Sequence, residues 1–231
     1  MPSNGFTPTV GYWSVDVQTM PHPQNQDWGM GQQRSSLETG YSEAMPRPEP
    51  VGKTTFEEYL ELEARSPVRH EFVDGYLFAM AGGTDYHNII AGNIFAAARA
   101  AARGTGCTVF IENMLLHTPD GAAYYPDVFV TCEEANDGSR YKRFPCFVVE
   151  VLSESTSDID RGEKLHNYRK IPSLKAYVLV SCDRKLVEVY RRLEDNTWRY
   201  ETLEGEGALE FPCLDLKMDL AEIYADIPQP D

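Results

Sequence analysis

Residues 144–152, FPCFVVEVL, carry the reading from which the fold follows. The run from Phe147 to Leu152 is apolar except for Glu150, which predicts a buried or half-buried strand. Residues 123–131, AYYPDVFVT, supply a second strand candidate in which Asp127 follows Pro126 at the start of DVFV. An ionised carboxylate in such a strand costs several kcal/mol unless something pairs with it, and a divalent cation is an effective partner. If the two strands lie side by side, both carboxylates reach one edge of the sheet, a hard-oxygen site suited to Mg²⁺ or Mn²⁺. The residues alone equally allow an edge-strand Asp in a turn and a Glu paired with an Arg.

Working outward, Thr54 or Thr55 caps a helix over FEEYLELEA, with Glu57 and Glu58 near its positive N-terminal end. HEFVDGYLFAMA reads as two strands joined at Asp74-Gly75, a dipeptide that favours tight hairpin turns. Thr84 or Asp85 opens an apolar helix that stops near Gly104 and Gly106. CTVFIE and MLLHT are further strand candidates, a helix runs from about Ser157 to before Pro172, and AYVLVS, KLVEVYRR and TWRYETL complete the strands. Helices around a partly mixed sheet define an α+β or mixed α/β class.

Pro126-Asp127, the strand bearing Glu150, EVLSEST, then Asp160, Lys164 and Tyr168 at four-residue steps, and AYVLV form an ordered series. The series resembles the Uma-type restriction endonuclease family of the PD-(D/E)XK nuclease superfamily. HEFVDGYLFAMAG, with Glu71 and Asp74-Gly75, and His87 before the apolar helix extend the resemblance over roughly Thr54 to Ile223. It implies a restriction-endonuclease-like core, Asp127 and Glu150 as metal ligands with the backbone carbonyl of Val151, and Glu71 as a further acidic member. His87, Asp160 and Tyr168 are expected to contact substrate or to support the ligands.

One residue departs from the superfamily pattern. A lysine is expected two residues after the Glu, on the same face of the strand, and that position is Leu152. The resemblance implies that a lysine on the following helix takes over, a place occupied by Lys164. The alternative is that Lys164 makes a surface i,i+4 pair with Asp160, worth a few tenths of a kcal/mol.

The chain has 231 residues, enough for one ordinary α/β domain with a tail. Residues 1–50 hold seven of fifteen prolines and no apolar periodicity, so a disordered tail is expected ahead of a folded domain at 51–231. The formal charge is −15, of which the tail carries −3. An acidic domain lacks the basic face that displaces counterions from phosphates, so nucleic-acid binding must be local or cation-assisted. The five cysteines are scattered and lack a CxxC pair, and are expected as reduced, mostly buried thiols without a zinc site. Neither a secretory signal nor a membrane span is visible, so a cytoplasmic location is expected.

Gly52-Lys53-Thr54 lacks the rest of a phosphate loop, and Ser153 and Ser155 lack a nucleophile setting and are expected to cap the next helix. Arg140, Lys142 and Arg143 suit a solvated loop better than a phosphate contact. The expected function is Mg²⁺- or Mn²⁺-dependent endonucleolytic hydrolysis of DNA, compatible with a homodimer. The competing class is a non-catalytic nucleic-acid-binding or interaction protein on a nuclease fold.

Overall fold

The computed structural model describes residues 53–80, 82–132, 139–153 and 156–228. The chain divides into two units, Met1–Ser42 and Glu43–Asp231, and every described residue belongs to the second. The expected tail, residues 1–50, lies outside the described residues, as do Gly52 and Ser155.

Helix α1 (Phe56–Glu63) starts at Thr55, whose hydroxyl accepts from the Glu58 amide while Glu58 reaches back to the Thr55 amide. This reciprocal cap satisfies two amides that the helix start leaves without partners. Strands β1 (His70–Val73) and β2 (Tyr76–Ala79) pair antiparallel across Asp74 and Gly75, both at positive φ (52° and 89°). That is the two-residue turn whose twist matches a hairpin. Helix α2 (Asp85–Ala101) is capped by Thr84 and buries Ile90, Ala91, Ile94 and Ala98 along one stripe.

Next come β3 (Thr108–Ile111), β4 (Leu115–His117), β5 (Ala123–Tyr124), β6 (Val128–Thr131), β7 (Tyr141–Lys142) and β8 (Phe147–Leu152). Residues 157–168 comprise α3 (Ser157–Ile159), a π-helical turn (Asp160–Lys164) and α4 (Leu165–Tyr168), where the sequence predicts one uninterrupted helix. Strands β9 (Ala176–Ser181), β10 (Leu186–Arg192) and β11 (Trp198–Glu204) follow. Two strands and a helix that the sequence does not announce close the fold: β12 (Ala208–Phe211), β13 (Leu216–Asp219) and α5 (Leu220–Ile223).

The strands form a five-stranded sheet in the order β2-β1-β5-β4-β7, a six-stranded sheet in the order β11-β10-β9-β8-β6-β3, and the β12-β13 hairpin. AYYPDVFVT is therefore not one strand. Pro126 has no N–H to give to a ladder, and there the chain passes from β5 in the first sheet to β6 in the second.

Strand β8 runs antiparallel to β6 and parallel to β9, and both of its faces are covered. Phe147, Val149 and Val151 pack with α2, the β12-β13 hairpin and α5. Val148 and Leu152 pack on the opposite face with Tyr168, Ile171 and Leu174. Glu150 shares the parity of Val148 and Leu152, so period two directs it to the α3–α4 side.

The expectation of reduced cysteines is corrected. Cys107 is bonded to Cys132 and Cys146 to Cys213, and Cys182 is the one free cysteine among the described residues. Pairing of Thr108 with Thr131 sets Cys107 opposite Cys132, and the Cys146 amide donates to the Val130 carbonyl beside them. The partners lie 25 and 67 residues apart in sequence, so only the folded topology brings them together.

Candidate active site

The register of β6 on β8 pairs Val128 with Val149, which sets Asp127, one step beyond, opposite Glu150. The Val151 N–H donates to Asp127 Oδ2 at 2.6 Å, tying the carboxylate to the neighbouring strand. Asp127 ends its strand, where its side chain can leave the ladder and stay half-buried. Glu150 sits in the strand interior at 2% exposure, so its charge has to be balanced locally.

The balancing group is Lys164. Its Nζ lies 3.0 Å from Glu71 Oε1, 3.2 Å from Glu150 Oε1 and 3.1 Å from Asp160 Oδ1. Its side chain is 7% exposed, which overturns the alternative of a surface ion pair with Asp160. Asp160 Oδ1 receives no geometrically sound hydrogen bond, so its contact with Lys164 is electrostatic. The Tyr168 hydroxyl donates to Glu150 Oε1 at 2.9 Å, and the Tyr177 hydroxyl donates to the Asp160 carbonyl at 3.0 Å. Tyr168 is fully buried, so of the two roles expected for it only support of Glu150 is open in this structure.

The π-helical turn places Lys164. A wide turn of this kind is rare and is found preferentially at functional sites. Asp160 and Lys164 bracket it, both buried, and α4 resumes in time to bring Tyr168 under Glu150.

Burial pushes the Glu150 carboxyl well above its usual range; Lys164 opposes the rise, while Asp127, Asp160 and Glu71 add to it. For Lys164 burial works against the charge, but Asp160, Glu150 and Glu71 together outweigh it and raise its pKa. The ammonium therefore stays charged. Four carboxylates share the field of one lysine, an excess of negative charge over hard oxygens that fits a divalent cation.

His87 approaches from the other side. It occupies the first turn of α2, its amide donates to the Thr84 hydroxyl, and its Nε2 lies 3.2 Å from Asp127 Oδ2. Burial lowers its pKa, but the hydrogen bond to Asp127 and the charges of Asp127, Glu112 and Asp160 produce a net rise. Gly83 allows the ring its place: a Cβ there would stand 2.9 Å from His87 Nδ1.

A cleft of about 350 Å³ opens onto these groups, lined among others by Arg69, Gly83, His87, Asn88, Glu112 and Asp127. Glu112, Asn88 and Arg69 are absent from the sequence expectations. Glu112 follows β3 at φ 51°, its amide donates to the Asp127 carbonyl, and its carboxylate takes a long 3.5 Å contact from Asn88 Nδ2. An acidic residue ending a strand just before MLLHT was the available signal. Of the basic loop, Arg140 is committed to the Leu60 carbonyl, away from this cleft.

The model of the Uma2 family, described as "Putative restriction endonuclease", matches residues 56–221. An uncharacterised protein of Synechocystis sp. is 32% identical over 177 residues, covering 76% of this chain and 93% of that protein. A second uncharacterised Synechocystis protein is 32% identical over 162 residues, covering 68% and 92%. A crystal structure from Anabaena variabilis, described as "a putative nuclease belonging to DUF820", superposes with a TM-score of 0.61 at 18% identity, covering 74% of this chain and 97% of that one. That likeness concerns the fold.

Proposed function

The chain belongs to the Uma2 family of restriction-endonuclease-like proteins, and from that premise we propose that it is a metal-dependent endonuclease hydrolysing phosphodiester bonds in DNA. The observation that carries the reading is the convergence of Glu71, Asp127, Glu150 and Asp160 on a site with one buried lysine.

Asp127, Glu150 and the backbone carbonyl of Val151 are the groups that would hold Mg²⁺ or Mn²⁺. Such an ion, when bound, acidifies a water and offsets charge developing on the phosphate. Lys164 keeps Glu150 ionised and is placed to orient the attacking water; at 7% exposure it is too deep to grip the DNA backbone itself. Tyr168 holds Glu150 in one rotamer, and His87 holds Asp127 at the cleft wall. Arg69, with a half-exposed side chain in the same cleft, is the cation offered to a phosphate. Cutting both strands of a duplex favours two related sites, so a homodimer accords with the activity.

The test is nicking of supercoiled plasmid by purified protein in Mg²⁺ or Mn²⁺, with chelator and Glu150→Gln as controls. Nicking is expected only with the ion and the intact carboxylate, and nicking that survives both controls removes the assignment. A second reading, a nucleic-acid-binding or interaction protein that has lost catalysis, draws on the net charge of −15 and on Leu152, buried at the usual lysine position. DNA binding in Ca²⁺ with no cleavage in Mg²⁺ or Mn²⁺ would select it.

A further inference from the structure

Cys107, Cys132, Cys146 and Cys213 come from four separate places: the approach to β3, the end of β6, the approach to β8 and the β12-β13 turn. Their sulfurs nevertheless form one knot. Besides the two bonded pairs, Cys132 Sγ lies 3.7 Å from Cys146 Sγ, and the sulfurs of Cys132, Cys146 and Cys213 all fall within 4.8 Å of one another. Cys107 Sγ and Cys132 Sγ each lie 3.7 Å from the Cys213 carbonyl oxygen, which places the fourth sulfur against the same turn. The knot packs on the core formed by α2 and the six-stranded sheet, with Cys146 at 6% exposure.

We propose that these four cysteines, when reduced, form a tetrathiolate site for a zinc-class cation, and that the two disulfides are its oxidised, metal-free state. A tetrahedral site with Zn–S bonds of about 2.3 Å needs sulfurs about 3.8 Å apart, the spacing already present between Cys132 and Cys146. Reduction frees the two bonded pairs, and rotation about each Cα–Cβ bond opens them toward the same spacing. Four thiols crowded at an apolar core resist ionising one at a time; a soft divalent cation makes their joint ionisation favourable. The site would hold the β12-β13 turn to the six-stranded sheet in a thiol-reducing compartment, as the disulfides do in an oxidising one. It is separate from the carboxylate site, whose hard oxygens favour a different class of ion.

The chemistry balances with a phosphine as reductant. Each of two phosphines takes one oxygen from water to become a phosphine oxide, and each disulfide receives two electrons and two protons to give two thiols. One Zn²⁺ then displaces four protons from the four thiols.

The experiment uses the full chain, reduced with a water-soluble phosphine, loaded with Zn²⁺ or Co²⁺ and desalted. We expect about one zinc per chain, protection of four of the five thiols from a thiol reagent with Cys182 still reactive, and for Co²⁺ the intense sulfur-to-metal charge-transfer band of tetrahedral thiolate coordination. Cys146→Ser should abolish the band, whereas Cys182→Ser should retain it. If Cys146→Ser fails to fold, thiol protection and the cobalt spectrum of the unaltered chain still decide. A reduced chain whose five thiols all react and which shows no sulfur-to-cobalt band overturns the proposal, and so does zinc bound without thiol protection, which would place the ion on carboxylates.

Discussion

Lys164 Nζ lies 3.2 Å from Glu150 Oε1, joining a helix residue to a strand residue where neither side chain is more than 7% exposed. The pair is the electrostatic centre of the fold's interior, because Glu71 and Asp160 contact the same ammonium. Removing one partner of a buried pair leaves the other charge uncompensated, and here three carboxylates would be left.

Lys164→Ala is therefore expected to lower unfolding free energy by about 3–5 kcal/mol without divalent ions, the scale of a broken buried pair. Plasmid nicking should fall by about 10² or more, and Lys164→Arg should rescue poorly because a planar guanidinium does not replace a compact ammonium. Denaturant titration and nicking assays check this. A loss below about 1 kcal/mol would mean the ammonium is balancing nothing.

Millimolar Mg²⁺ should raise the melting temperature, because an ion bound only by the folded state contributes RT ln(1 + [L]/Kd), about 2.7 kcal/mol at a hundredfold excess over Kd. Glu150→Gln should abolish the shift. Identical melting curves with Mg²⁺ and with chelator would exclude the carboxylates as a site in that concentration range.

Gly83→Ala should displace the His87 ring, since the added methyl would meet Nδ1 at 2.9 Å. Contact with Asp127 contributes to the raised His87 pKa, so the variant's His87 titration, followed by NMR without metal, should move down toward the ordinary value near ~6.5. An unchanged titration would show that the ring is not held by the glycine.

His117 stacks on Phe56 at 3.8 Å between ring centroids, and its buried Nε2 has no hydrogen-bond partner. Burial, aided by Arg143, depresses its pKa. The unfolded chain therefore binds the proton more readily: stability is fully present above the unfolded pKa of roughly 6.5 and is lost as pH falls through that value toward the folded one. His117→Phe keeps the stack and cannot protonate, so it should flatten the stability profile between about pH 6.5 and 5. Equal slopes for both proteins would refute the assignment.

Deleting residues 1–50 should leave the melting transition in place, because that segment offers no periodic apolar face to bury. A large drop in melting temperature would show that it packs as structure.

Much of this was legible in sequence because it depends on local pattern. The Asp74-Gly75 turn, the Thr55 and Thr84 caps and the apolar run around Glu150 each follow from a few adjacent residues. The adjacency of the Asp127 and Glu150 strands was also anticipated and is observed. What stayed hidden depends on distant partners. Nothing near Lys164 in sequence reveals Glu71 as its neighbour, and nothing near Cys146 reveals Cys213. The polar face of β12-β13, with Glu210 and Lys217 exposed, masks a hairpin whose inward residues Leu209, Phe211 and Met218 are too few to signal a strand by period alone.

The wide turn at Asp160–Lys164 makes this region sensitive to residue count. Each residue of an ordinary helix advances the side-chain direction by about 100°, so deleting one residue between Asp160 and Lys164 would restore a regular helix and swing everything after it by about that angle. Tyr168 would then turn away from Glu150 although no contacting side chain had been changed. Over these few positions the fold tolerates a change of letter better than a change of length, and an insertion or deletion there would separate an intact core from a working site.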